Sequence, residues 1–247
     1  MLREDITFHT RALLTVPVVG EDDHMIGIVT VDDAMDLEKE HDAGRPAGFG
    51  GGAAVGGGPD LDLRSSPFRR IFGTRLMWLA FLTAFGMVTS TFVAKQEELL
   101  SEVIVLAAFI APIVDMGGNT GSQAATLVLR SMSLGQLRMR WKDLFFVLRR
   151  EAAVALALGG CVAVMEVVLA FFAKDGLDSG VLTVVGLSMF ACTVLGGVIG
   201  STLPFLARRL GTDPATLSSP LITSIMDLLG VCVYFGLAYI FLGHLLV

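Results

Sequence analysis

Long apolar runs dominate the second part of the chain and predict how it is built. A helix that spans a bilayer needs about 20 predominantly apolar residues. Runs of this kind occupy residues 71–94, 103 to about 128, 145–173, 181–207 and 221–247. The pattern predicts an all-α polytopic membrane protein, with five transmembrane helices per subunit in residues 69–247.

The N-terminal segment follows a different pattern, in which short β-branched runs alternate with charged residues. TVPVV and MIGIVTV flank the turn-like sequence GEDDH, which favours a β-hairpin. The following DDAMDLEKEHD predicts a helix with Asp32 or Asp33 at its N-cap. We expect a small partial α/β domain in residues 1–43 and a flexible glycine-rich linker in residues 44–68.

Composition narrows the class of protein further. The 247 residues are 53% hydrophobic and only 17% charged, and the mean hydropathy is +0.71. A net charge of −6 without a basic stripe argues against a nucleic-acid partner. The sequence has no nucleophile-elbow, zinc-protease or P-loop motif, so we do not expect an enzyme.

Basic residues are divided unevenly between the two sides that five spans create. Lysine and arginine number three in residues 69–75, six in 130–150 and two in 208–209. The opposite side has only Lys95 and Lys174. Because cytoplasmic loops carry the excess of basic residues, we predict a protein of the cytoplasmic membrane with its N-terminus inside and its C-terminus outside.

One carboxylate interrupts the fifth apolar run. Asp227 lies in PLITSIMDLLGVCVYF, and no lysine or arginine in that run offers it an ion pair. A carboxylate at mid-membrane costs about 2.5–3.5 kcal/mol on insertion scales. We favour the hypothesis that Asp227 belongs to an ion pathway. The alternative is a protonated Asp227 that is hydrogen-bonded to a neighbouring helix.

The second run combines helix-breaking and polar residues. Pro112 and the glycines that follow predict an interrupted helix over residues 112–121, with backbone carbonyls freed for a cation. Close packing through Gly117-xxx-Gly121 explains the glycine spacing equally well. Asp115 and nearby neutral oxygens tilt the interpretation toward an ion pathway. Those oxygens belong to Asn119, Ser122 and Gln123.

Glycines and acids elsewhere give weaker signals. The spacing Gly196-xxx-Gly200 in the fourth run has no polar neighbours and indicates packing. Glu97, Glu98 and Glu102 lie between the first two runs, where they would raise the local cation concentration. Glu102 borders the second run and is the better candidate, whereas the other two fit a solvated loop equally well.

The oxygen-rich candidates suit a hard divalent cation. Mg²⁺ prefers oxygen ligands and gives up its water reluctantly, so one carboxylate with carbonyl and hydroxyl oxygens can hold it through its water shell. No thiolate or imidazole lies beside these residues in the sequence, which argues against a soft metal.

Three segments together resemble the MgtE-type magnesium channel family. They are GMVTS in the first span, GGNTGSQAATLVLR after Pro112 in the second, and LGTDPATLSSPLITSIMDLLGVCVYF leading into the fifth. The resemblance covers residues 70–245. The segment TVPVVGEDDHMIGIVTVDDAMDLEKEHD looks like the end of the second CBS domain that precedes the pore in that family.

The resemblance implies a homodimer of five-helix subunits in the lipid membrane, with a pore lined by the second and fifth helices. It implies Mg²⁺ as the transported ion and as a possible regulator, because family cytoplasmic domains sense Mg²⁺ and close the pore. A hydrated ion is then held near Asp227. The other matching positions are the carbonyls of Ala108 and Gly118, the side chains of Ser122, Ser219 and Thr223, and Glu102 near the outer mouth.

Two departures from the family pattern concern these positions. Some members have asparagine where this chain has Ser122 and Ser219, and glycine where it has Asp115. Ion preference among Mg²⁺, Mn²⁺, Co²⁺ and Ca²⁺ is therefore open. Two alternatives to a channel also stay open at this point: a proton-coupled carrier of a small solute with Asp227 as its relay, and a regulatory membrane protein that binds nucleotide through residues 1–43.

Overall fold

The computed structural model describes residues 14–19, 24–33, 35, 64–138, 140–173, 177–211 and 219–246. The chain divides into two compact units, Met1–Ala47 and Gly48–Val247. The first contains a two-stranded sheet and the second contains the long helices.

The N-terminal unit contains the predicted hairpin. Strand β1 (Thr15–Val19) pairs antiparallel with strand β2 (Met25–Thr30), so that the first residue of β1 faces the last residue of β2. The register shifts between Val18 and Val19, at the end of β1. The prediction of a hairpin from its two β-branched runs is confirmed.

A helical segment begins directly after β2, and its cap differs from the prediction. Residues 31–33 and 35 are helical. The backbone N–H of Asp33 donates to Thr30 Oγ1 at 3.3 Å, while the Thr30 N–H donates to the Asp33 carboxylate at 3.2 Å. This reciprocal pair is the arrangement of a capping box, so Thr30 is the N-cap and the prediction of Asp32 or Asp33 was wrong. The Thr30 hydroxyl and N–H lower the pKa of Asp33 below its ordinary value.

The predicted helix continued to residue 42, and most of it lies outside the described residues, as does most of the predicted 44–68 linker.

The second unit is built from helices. They are α1 (Phe68–Ala94), α2 (Glu97–Glu102), α3 (Ala107–Ser133), α4 (Trp141–Ala173), α5 (Ser179–Arg209) and α6 (Ser219–Leu242). Within the described residues, all except the short α2 are long and apolar enough to cross a membrane, which makes five spans and confirms the predicted number. The chain is thus a multi-pass membrane protein.

Helix α3 runs without a break through the segment that the sequence predicted to be interrupted. Pro112 lies inside it. Proline has no N–H to donate to the carbonyl of Ala108, four residues earlier, but Ala108 is in the first turn, so only one early hydrogen bond is lost. The glycines at 117, 118 and 121 are buried against neighbouring helices, which offsets their low helix propensity. The prediction of a break over 112–121 was wrong.

Helix α5 lies at the centre of the bundle, in contact with α3, α4 and α6. Its first turn is capped by Asp178, whose carboxylate accepts a 2.8 Å hydrogen bond from the Gly180 N–H. The buried Tyr234 of α6 donates a 2.8 Å hydrogen bond to the carbonyl of Leu106, in the 3₁₀ turn before α3. Helix α1 packs on α6 but has no buried residue.

Candidate cation site

Polar residues of α3 and α6 meet along an antiparallel contact. The hydroxyl oxygens of Ser122 and Ser219 are 2.7 Å apart, at hydrogen-bonding distance. One turn away, Gly118 faces Thr223, and a Cβ added to this glycine would lie 3.2 Å from the threonine hydroxyl. The Thr223 hydroxyl also donates to the carbonyl of Ser219 at 3.1 Å. A glycine at position 118 therefore lets the α3 backbone approach a row of hydroxyl oxygens on α6.

The same register brings two carboxylates together. Asp115 precedes Gly118 by one turn and Asp227 follows Thr223 by one turn, so the antiparallel contact places them opposite each other, within electrostatic range. Asn119 donates a 2.8 Å hydrogen bond from Nδ2 to Oδ2 of Asp115, which fixes the orientation of that carboxylate. Within the described ranges, no side chain donates a hydrogen bond to Asp227.

These two carboxylates have no basic partner on their own helices. Helix α6 contains no lysine or arginine, and the only one on α3 is Arg130. Arg130 is about 22 Å along the helix from Asp115, at 1.5 Å per residue. Like charges that lie close together in a membrane repel each other, and a cation between them lowers that cost.

A polar face runs along the middle of α3, from residue 115 to residue 126. Asp115, Asn119, Ser122 and Thr126 recur every three or four residues, which is the spacing of one helix face. All except the partly buried Ser122 are exposed in the single chain. The sequence analysis did not predict Thr126 as a site residue, although its position four residues after Ser122 indicates the same helix face. Gln123 is exposed next to this face.

The opposite face of α3 is a packing surface. A Cβ added to Gly196 of α5 would collide with the carbonyl oxygen of Gly117, and one added to Gly200 would collide with that of Gly121. Numbers rise together on the two helices, so α3 and α5 are parallel here and their backbones touch. The structure therefore shows the packing alternative for Gly117 and Gly121, whose carbonyls face α5 instead of the polar face.

Two of the predicted site residues lie apart from this group. Ala108 is exposed in the first turn of α3, roughly 10 Å from Asp115 along the same helix face. Glu102 is exposed at the end of α2 and is separated from α3 by a 3₁₀ turn. The structure does not bring either residue into contact with Asp227.

The group is poor in metal-binding side chains and rich in neutral oxygens. In the described part of the chain, no three side chains of His, Cys, Asp or Glu come together as a metal cluster. Two carboxylates, one amide and several hydroxyls can hold a hydrated hard cation, and they offer nothing for a soft metal.

Comparison with known proteins identifies relatives of this chain. A family model described as "MgtE: Divalent cation transporter" matches residues 110–237, which include every residue of the polar contact between α3 and α6. The chain is 35% identical over 228 residues to a protein of Thermus thermophilus named Magnesium transporter MgtE. Proteins with the same name in Enterococcus faecalis and Bacillus subtilis are 31% identical over 246 residues and 30% identical over 235 residues.

The alignments cover nearly all of this chain but only about half of each relative. They include 92%, 98% and 94% of this chain, in the same order, but only 48%, 51% and 49% of the three relatives. The chain therefore spans about half the length of the curated relatives it matches.

Proposed function

This chain belongs to the MgtE family of divalent cation transporters, and on that premise we propose that it carries Mg²⁺ passively across the cytoplasmic membrane. The relatives at 30–35% identity are named as magnesium transporters, which supports this choice of ion. The oxygen donors between α3 and α6 support it chemically, because Mg²⁺ is bound through oxygen and keeps much of its water.

The observation that carries the proposal is the exposed polar face of α3. Asp115 and Asn119 lie on a membrane-spanning helix with their side chains exposed in the single subunit. Ionisable side chains within a membrane almost always face a bundle interior or a water-filled cavity. This face is therefore covered by something other than lipid.

A second copy of the chain is the cover that we propose. Helix α1 has no buried residue in the single subunit, so much of its surface is also left for contacts outside the subunit. Two copies that meet across the polar faces of α3 and α6 form a homodimer with a pore along its axis. Each copy then contributes Asp115 and Asp227, and four carboxylates surround the pathway.

Within this pore, Asp227 is the residue that holds the hydrated ion. Its carboxylate is half-buried and accepts no hydrogen bond within the described residues, so it is available to the water shell of the ion. The neighbouring donors are Asp115, the Gly118 carbonyl, Asn119, Ser122, Ser219 and Thr223, with the Ala108 carbonyl along the same face. Glu102 attracts cations at the outer mouth.

Orientation and the N-terminal unit complete the proposal. The excess of basic residues on one side supports an orientation with the N-terminus in the cytoplasm and the C-terminus outside. Residues 1–43 are the end of a CBS domain, residues 44–68 are a linker, and residues 69–247 form the channel. Mg²⁺ is then also a candidate regulator through the cytoplasmic part.

The central test is Asp227→Asn, which removes one charge and keeps the shape of the side chain. In a host without its own Mg²⁺ uptake, we expect this variant to lower Mg²⁺ uptake at least tenfold, because a fully hydrated cation loses its main attraction to the pathway. Glu98→Gln is the matched control, since it removes an exposed carboxylate of α2 from outside the site. Normal uptake by Asp227→Asn at normal expression would refute the proposed role.

A proton-coupled carrier differs from a passive channel in how its Mg²⁺ uptake depends on the pH gradient. A passive channel gives Mg²⁺ uptake that follows the membrane potential and the Mg²⁺ gradient. Uptake that instead collapses when the pH gradient alone is removed would favour the carrier, with Asp227 as its proton relay.

A further inference from the structure

A basic cavity lies between the start of α4 and the end of α5, and it shares no residue with the candidate cation site. Its volume is about 430 Å³. Arg140 lines it just before α4, and Arg208 and Arg209 line it from the last turn of α5. All three arginines are exposed, and none of the described residues that line the cavity is acidic. Three arginines thus line one cavity, and no carboxylate is among its described lining residues.

The wall of the same cavity is apolar and aromatic. The guanidinium carbon of Arg209 lies 4.3 Å from the centre of the Trp141 ring, which is the geometry of a cation–π contact. Leu144, Phe205 and Leu206 form the apolar part of the wall. The Trp141 side chain is 68% exposed and that of Leu206 is 48% exposed, so the apolar part is accessible from the side of the bundle.

The cavity lies at the ends of two membrane-spanning helices, which indicates what surrounds it. Helices α4 and α5 both cross the membrane, and the cavity lies where the first begins and the second ends. Tryptophan and arginine at the ends of spanning helices are typical of the boundary between the acyl chains and the headgroups of a bilayer. A ligand of this cavity therefore meets positive charge at one end and apolar surface at the other.

We propose that this cavity binds one anionic phospholipid, with its headgroup phosphate between the arginines and an acyl chain against Leu144 and Leu206. Arginine forms paired hydrogen bonds with phosphate oxygens, and basic pockets between membrane helices suit anionic headgroups. A soluble phosphate would use the arginines but would leave the apolar wall exposed. The lipid uses both surfaces, which is why the structure favours it.

Occupancy of the cavity ties two helices together. Trp141 begins α4 and Arg140 directly precedes it, whereas Arg208 and Arg209 belong to the end of α5. A phosphate between them neutralises charges that otherwise repel one another across the α4–α5 contact. Anionic lipid should therefore raise the unfolding temperature of the purified protein, independently of Mg²⁺ transport.

The experiment compares lipid binding by the full chain and its variants in detergent, with native mass spectrometry as the readout. Phosphatidylglycerol is expected to stay bound at one copy per subunit, and phosphatidylcholine is not. The double variant Arg208→Gln with Arg209→Gln should bind phosphatidylglycerol roughly 30-fold more weakly, from the usual contribution of two basic residues at an anionic surface. The matched control is Arg69→Gln with Arg70→Gln, an exposed arginine pair at the start of α1 that does not line the cavity.

Three results would overturn the proposal. The first is equal binding of phosphatidylcholine and phosphatidylglycerol, and the second is equal weakening by the control pair, which would mean a general effect of charge. The third is displacement of the lipid by excess inorganic phosphate, which would identify a soluble anion as the ligand. If the double variant does not fold, Trp141→Ala gives the same test: weaker phosphatidylglycerol binding supports the site, and unchanged binding refutes it.

Discussion

The two faces of α3 have opposite chemistry although they share one short glycine-rich segment. Toward α5, the carbonyls of Gly117 and Gly121 touch the glycines of the facing helix and leave no space for any side chain. Toward α6, Gly118 and Ser122 face hydroxyl groups. One residue of rotation, about 100° around the helix, separates a dry packing surface from the polar face along which we propose the ion pathway.

The difference shows that a glycine motif has no single meaning. At Gly117 and Gly121 a side chain would meet both the backbone of α5 and an apolar side chain of α6, whereas at Gly118 it would meet a threonine. The first kind of contact holds α3 against α5, and the second lies on the face along which we propose the ion pathway. Substitutions on the two faces should therefore separate stability from transport.

The strongest test of the packing face is Gly200→Ala. The new Cβ would collide with the carbonyl oxygen of Gly121, and backbone cannot move aside as a flexible side chain can. We expect the free energy of unfolding to fall by about 3 kcal/mol or more, measured by denaturation of the purified protein. Gly160→Ala in α4 is the control, because a Cβ there meets no atom within 4 Å. Equal stability of the two variants would contradict a backbone contact between α3 and α5.

The matching change on the polar face is Gly118→Ala. Its Cβ would lie 3.1 Å from Thr223 Cγ2, so the threonine must shift by a few tenths of an ångström. We expect a smaller loss of stability, about 1 kcal/mol, together with a clear reduction of Mg²⁺ uptake. Gly236→Ala, at an open position of α6, should change neither quantity. Normal uptake by Gly118→Ala would argue that this face is not the pathway.

Asp115→Gly tests what the second carboxylate does for selectivity. A carboxylate that is oriented by Asn119 favours ions that lose water more easily than Mg²⁺ does. We expect Mg²⁺ uptake to continue and its inhibition by Mn²⁺ or Ca²⁺ to weaken by about tenfold, equivalent to about 1.4 kcal/mol of lost attraction. Competition that is unchanged would show that Asp115 does not contact the permeating ion, without affecting the case for Asp227.

The smallest expected effect concerns the hydroxyl pair between α3 and α6. A double-mutant cycle of Ser122→Ala and Ser219→Ala should give a coupling energy of about 0.6 kcal/mol in unfolding, typical of a hydrogen bond between membrane helices. Ser122→Ala combined with Thr183→Val should be additive, because the Thr183 hydroxyl bonds within its own helix. Additivity in the serine pair as well would mean that the 2.7 Å contact contributes nothing to stability.

The sequence predicted the spans well because hydropathy over 20 residues averages out local detail. Asp115, Ser122 and Asp227 were predicted because polar groups stand out in apolar runs, whereas Ser219 was named only through the family resemblance. The structure places the hydroxyl oxygens of Ser122 and Ser219 2.7 Å apart. The prediction of a helix break at Pro112 was wrong. The cost of a proline depends on its position in a helix, and at Pro112 only one early hydrogen bond is lost.

The sequence also could not predict which helices pack against each other, for a different reason. Glycine spacing shows that a close approach is possible but not which helix approaches, so the roles of Gly117 and Gly118 could not be separated. The cavity beside Trp141 was hidden for the same reason, because its arginines come from segments more than 60 residues apart in the sequence. The cap at Thr30 was missed because the two aspartates that follow it are equally good capping residues.

The backbone contact between α3 and α5 also has a mechanical consequence. Packed helices slide past each other when interlocking side chains adjust their rotamers. At Gly196 and Gly200 there are no side chains to adjust, so α3 and α5 are expected to move as one rigid body. Any widening of the proposed pathway would then require movement of α6 or of the proposed second copy, and a probe of motion placed on α3 and α5 should report a constant distance between them.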